Sequence, residues 1–97
     1  MKSNQIIKKF LNKKLFENKT ILITGANGVL GKKLSEIFLN LNSKLILVDK
    51  KIKKSTNKNI RTLSIDFTNT KILERALIKE IKNFKKLNYI INNAAYT

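Results

Sequence analysis

Three glycines stand three residues apart, Gly25, Gly28 and Gly31, in the stretch TILITGANGVLG from Thr20 to Gly31. An apolar run precedes them and a helix-like pattern follows, so they occupy a strand-to-helix junction. Backbone N–H groups in the first turn of a helix have no partner within it, and the helix dipole adds positive potential there. Such a junction holds an anion when no side chain keeps the anion away. Gly25 permits the sharp turn off the strand, Gly28 lets a pyrophosphate approach the main chain, and Gly31 lets the helix pack closely. Asp49, at the end of LILVD and 18 residues after Gly31, is the second group of interest. A carboxylate at the tip of a second strand accepts hydrogen bonds from ribose hydroxyls and repels a 2′-phosphate. A turn or cap aspartate is the alternative. Together these features point to a dinucleotide site. A triphosphatase phosphate loop is rejected, because GANGVLGKK has one residue too many between its glycines and Lys33 where Ser or Thr should be.

The elements that must position these groups alternate along the chain. Residues 20–24 (TILIT), 44–48 (KLILV), 60–65 (IRTLSI) and 88–92 (NYIIN) read as strands. From Val29 to about Leu41, Leu30, Leu34, Ile37, Phe38 and Leu41 share one helical face, with Lys32, Lys33, Ser35, Glu36 and Asn40 away from it. From about Asn69 to Phe84 a second amphipathic helix uses Ile72, Leu73, Ala76, Leu77, Ile81 and Phe84. The lysine-rich link KKIKKSTNKN is too short for more than a turn or two of helix. Buried strands separated by segments of period 3.6 predict an α/β fold with a parallel sheet. Right-handed crossovers give strand order 3-2-1-4, the N-terminal half of a doubly wound Rossmann fold. Residues 1–19 are expected to form a basic amphipathic helical extension, with Ile6, Ile7, Phe10, Leu11 and Leu15 packed on residues 20–97, a partial dinucleotide-binding domain.

Composition narrows the function. The 97 residues contain no Cys and no His, which excludes disulfides and a zinc site of the usual ligand set. No apolar run spans a bilayer and no signal-peptide core is present, so the chain is expected to be cytoplasmic. A net charge of +15 suits a nucleic-acid binder. However, Lys, Ile and Asn are in excess throughout, and no aromatics are interleaved with the basic stretches. No nucleic-acid partner is therefore expected.

Thr24 to Gly31, TGANGVLG, resembles the dinucleotide loop of the short-chain dehydrogenase/reductase family in its T-G-x-x-G-x-x-G form. That form is usual in the branch acting on nucleotide sugars. The resemblance implies cofactor contacts from Gly25, Asn27, Gly28, Leu30 and Gly31. Asp66 in SIDFTN is similar to the family's acid after the third strand, which bonds the adenine amino group while the next amide, that of Phe67, meets a ring nitrogen. Asn92, Asn93 and Ala94 in INNAAYT resemble the N-N-A-G motif after the fourth strand, where the backbone passes the adenine ribose; Ala95 replaces the glycine. NNAAYT is also similar to sugar-modifying reductases of surface-polysaccharide and flagellin-glycan pathways. Asp66 has the alternative of capping the following helix, and Asn92 and Asn93 that of tying strand ends together.

The resemblance implies a nicotinamide cofactor, NAD on the Asp49 logic, with Lys50 and Lys51 leaving NADP open. It also implies hydride transfer with a carbonyl or alcohol substrate by a full-length protein. The family's Tyr-x-x-x-Lys has no counterpart, since Tyr89 is followed four positions later by Asn93, and Tyr96 only by Thr97. The expectation is an inactive cofactor-binding portion, truncated after the fourth strand, with an apolar edge open to a second copy. A non-catalytic nucleotide- or partner-binding module is the alternative.

Overall fold

The computed structural model describes residues 13–66 and 68–93. The expectations for Ile6, Ile7, Phe10, Leu11, Phe67, Ala94 and Ala95 fall outside that range.

Aliphatic residues on both faces of TILIT and KLILVD demand cover on both sides, which a strand in the middle of a parallel sheet receives. Strand β1 (Thr20–Thr24) is buried at all five positions, and β2 (Lys44–Asp49) at its four inner ones. With β3 (Ile60–Ser64) and β4 (Tyr89–Asn92) they form one parallel sheet in the order β3-β2-β1-β4. The register sets Thr24 opposite both Val48 and Asn92, and Asp49 opposite Ser64. All four strands therefore deliver their C-terminal ends, and the residues that follow, to the same side of the molecule.

Two helices cover the two faces, as opposite crossover directions on either side of β1 require. Helix α2 (Val29–Asn40) sets Ile37 and Phe38, with the following Leu41, against Ile21, Ile23, Leu45 and Leu47. Helix α3 (Thr70–Phe84) sets Leu73, Leu77 and Phe84 against Leu22, Ile46 and Val48. A short helix, α1 (Lys13–Phe16), closes the first face. Its Phe16 ring lies 5.2 Å from that of Phe38 and 5.4 Å from that of Tyr89, whose hydroxyl donates to the Leu15 carbonyl.

The helical faces differ from expectation at particular positions. Leu30 is 59% exposed, while Ser35 is buried and donates its hydroxyl to the Gly31 carbonyl at 2.8 Å. The turn holds the start of α2 so close to the main chain of the loop that only a small side chain fits at 35. On α3, Ile72 is half exposed, and the one buried residue is Glu80, which receives the Arg61 Nε–H of β3 at 2.7 Å. The link between β2 and β3 contains no helix. It is pinned by Ile52, whose side chain packs on the core and whose N–H and carbonyl both bond the Ser64 hydroxyl. Strand β4 forms an edge of the sheet among the described residues, and Ile90 there is 63% exposed. No helix among the described residues is long and apolar enough to cross a membrane.

Candidate functional site

The turn off β1 is built from main-chain bonds. Gly25 takes φ 65°, a left-handed conformation that costs other residues free energy. That turn sends the Ala26 N–H to the Val48 carbonyl and the Gly28 N–H back to the Gly25 carbonyl. Gly28 is the N-cap of α2, and the helical ladder starts with the Lys32 N–H on the Gly28 carbonyl. The N–H groups of Val29, Leu30 and Gly31 consequently have no intrahelical acceptor.

The remaining two glycines have different reasons. A Cβ on Gly31 would lie 2.2 Å from the Gly25 oxygen and within 3 Å of two Ala26 main-chain atoms. This glycine is a demand of the fold, and the surface it meets is the turn itself rather than the sheet. A Cβ on Gly28 would meet only the Gly25 oxygen, at an ordinary 3.5 Å, and the backbone there is extended. Nothing in the fold requires Gly28, whose bare Cα keeps the space before the helix end clear. Leu30 and Val29, 59% and 93% exposed, flank that space with apolar surface.

Asp49 leaves the end of β2 toward this turn. Its Oδ2 accepts the Asn27 N–H at 2.9 Å and its Oδ1 the Lys50 N–H at 2.7 Å. The carboxylate thus latches the glycine turn to β2, and its other lone pairs are available to a ligand. A cleft of about 700 Å³ opens beside it, bounded by Asn27, Ile52 and Ser64 and by Lys32, Lys50, Lys51 and Lys53.

Asp66 is exposed beyond β3, and its Oδ1 accepts the Thr68 hydroxyl at 2.7 Å and the Thr68 N–H at 3.0 Å. Those two bonds, with a smaller contribution from the Lys50 charge, hold its carboxyl below the usual aspartate range. The cap of α3 is Asn69, whose side chain accepts the Ile72 N–H, so Asp66 does not cap that helix. At β4, Asn92 Oδ1 accepts the Thr24 hydroxyl at 2.9 Å, and Asn93 donates its N–H to Thr24 Oγ1 and its Nδ2 to the Gly25 carbonyl. The asparagines do tie the strand ends together. Phe67 and Ala94 lie outside the described residues.

Sequence reasoning had given Thr24 no role, although its hydroxyl joins β1 to β4. A threonine closing an apolar strand is the available signal, since its buried hydroxyl needs a partner. Lys32 and Lys53 as walls of the cleft were also missed, because nothing local distinguishes them among so many lysines.

Residues 21–97 match the family model described as the NAD dependent epimerase/dehydratase family. The chain belongs to that family. Solved structures with the same fold include a short-chain dehydrogenase from Leptospira borgpetersenii serovar Hardjo-bovis with bound NAD+, with a TM-score of 0.78 and 24% identity over 91% of this chain. The epimerase Mth375 of Methanothermobacter thermautotrophicus matches with a TM-score of 0.68 and 19% identity over 87% of the chain. The Bordetella bronchiseptica enzyme WbmG, in complex with NAD, gives 0.64 and 25% over 80%. The present chain spans 36%, 25% and 25% of those three structures respectively. As an epimerase/dehydratase family member, it carries the N-terminal half of a Rossmann fold, as the order 3-2-1-4 and the glycine loop had implied.

Proposed function

We propose that the turn from Gly25 to Gly31 binds the diphosphate of a nicotinamide dinucleotide, and that this chain is the cofactor-binding portion of an oxidoreductase. The observation that carries the reading is Gly28: a position with room for a side chain, left bare, before the three unpaired N–H groups at the head of α2. Those residues fit a diphosphate, because close approach of its oxygens needs open main chain and N–H donors. Asp49, already oriented by Asn27 and Lys50, accepts the adenosine ribose hydroxyls on its remaining lone pairs, which makes NAD a cofactor of this site. Asp66 and the amide of Phe67 serve the adenine, Leu30 covers the dinucleotide from the first turn of α2, and Asn93 and Ala94 pass the ribose. The NAD-bound relatives support the cofactor class. When bound, the cofactor supplies the hydride chemistry of a carbonyl or alcohol reaction. This chain's residues hold and orient it, and the substrate-activating Tyr-x-x-x-Lys is absent from the 97 residues.

The test is titration of the purified chain with NAD and NADP, alongside Asp49→Asn. Asparagine keeps an oxygen for the Asn27 N–H and removes the charge. It is expected to weaken NAD and strengthen NADP. Equal changes in the two dissociation constants would show that Asp49 does not meet the ribose.

A further inference from the structure

The cleft beside Asp49 contains more charge than a neutral ribose needs. Lys32 reaches it from the first turns of α2, Lys50 and Lys51 from the tip of β2, and Lys53 from the link to β3. None of these four pairs with a carboxylate among the described residues, where the ion pairs are Lys33–Glu36 and Arg61–Glu80. Two carboxylates lie nearby. Asp49 is committed to two backbone N–H donors, and Asp66 is turned to Thr68 and feels only the charge of Lys50. Counting both against the four lysines still leaves an excess of two positive charges. Ammonium groups around one concavity repel one another, and an anion entering it relieves that repulsion.

The wall that presents these lysines is fixed. The link between β2 and β3 is held on either side of Lys51 and Lys53 by the Ile52 side chain in the core and by both bonds of Ile52 to the Ser64 hydroxyl. Three segments of chain thus converge on the space next to the ribose-binding carboxylate. An excess lysine coat explains their number; their convergence on one pinned concavity is a structural fact.

We infer that this cleft is a phosphomonoester site at the ribose end of the dinucleotide, so that the chain holds NADP as well as NAD despite Asp49. The inference rests on the dinucleotide reading above. A ribose 2′-phosphate carries about −1.5 to −2 charges at neutral pH, close to the excess in the cleft. Repulsion from Asp49 is blunted by the two N–H dipoles that it already accepts, and is outnumbered by the lysines.

The experiment is calorimetric titration of the 97-residue chain with NAD, NADP, 5′-ADP and 2′-phospho-ADP at two salt concentrations, repeated with the double variant Lys50→Gln/Lys53→Gln. Both lysines are exposed, and circular dichroism confirms that the variant folds. The expected result is NADP within about tenfold of NAD at low salt, with a steeper loss of NADP as salt rises. The double variant should weaken NADP and 2′-phospho-ADP about tenfold or more, and NAD and 5′-ADP less than about threefold. If NAD binds and NADP is more than about a hundredfold weaker, the phosphomonoester site is overturned and the dinucleotide reading stands. Equal weakening of all four ligands by the double variant also overturns it, since the lysines would then act only as a general field. If a folded chain binds neither NAD nor 5′-ADP, the dinucleotide reading falls, and this inference falls with it.

Discussion

Gly28→Ala and Gly31→Ala are the same substitution three residues apart, with opposite expected consequences. At position 31 the new Cβ would sit 2.2 Å from the Gly25 oxygen, 2.7 Å from Ala26 Cα and 2.9 Å from the Ala26 carbonyl carbon. All three are main-chain atoms, and Ala26 cannot withdraw without losing its bond to Val48. Overpacking of this kind costs about 1–3 kcal/mol, and backbone contacts place it at the upper end. Alanine returns about 1 kcal/mol of helix propensity. The net loss is about 2 kcal/mol, a fall in melting temperature of roughly 8–16 °C for a domain of this size. At position 28 φ is −77° and ψ 174°, open to any residue, and the Cβ meets one atom at 3.5 Å. A poorer N-cap, about 0.5 kcal/mol, offsets a similar gain from a stiffer unfolded chain. Gly28→Ala should therefore melt within a few degrees of the parent while binding NAD about tenfold or more weakly, and Gly28→Val should not bind it. Thermal circular dichroism and NADH fluorescence titration read the two effects separately. Unchanged NAD affinity in folded Gly28→Val would remove the diphosphate from this turn, and an unshifted melt for Gly31→Ala would refute the described contact.

Two further predictions concern the scaffold. The Arg61 bond holds the Glu80 carboxyl below its ordinary value near 4.5, so the native state favours the ionised form. That stabilisation is complete above the ordinary value and is lost as pH falls through the lowered one. Glu80→Gln should melt lower than the parent at pH 7, with the gap closing as both are acidified below about pH 4.5; a gap that stays constant would mean that the charge is immaterial. Lys85, with φ 72°, ends α3 in the left-handed region, so Lys85→Gly should raise stability by about 0.5–1 kcal/mol, measured by urea denaturation.

The sheet order and the glycine turn were legible because both rest on short-range patterns: unbroken aliphatic runs at β1 and β2, and glycine spacing at their junction. The helical faces were less so. Periodicity identifies an apolar stripe but not how a tight turn rotates it, which is why Leu30 is exposed and Ser35 buried. Glu80 was unreadable, because its partner Arg61 lies 19 residues away on another element and a glutamate among apolar neighbours carries no local mark. Asp66 and Asn69 competed for the cap of α3 at similar propensity, and only the geometry of the chain leaving β3 separates them. For Asn92 and Asn93, residue type allowed both ligand contact and strand tying, and the Thr24 hydroxyl in reach settled that they tie the strands.

The helix-free passage from β2 to β3 has an evolutionary consequence. Its anchor is one isoleucine and one serine hydroxyl, while the side chains facing the cleft project from positions that contribute nothing to the sheet. Exchanging those cations for neutral or acidic groups leaves folding untouched, so cofactor taste in this lineage can drift by single codon changes without a compensating repair elsewhere.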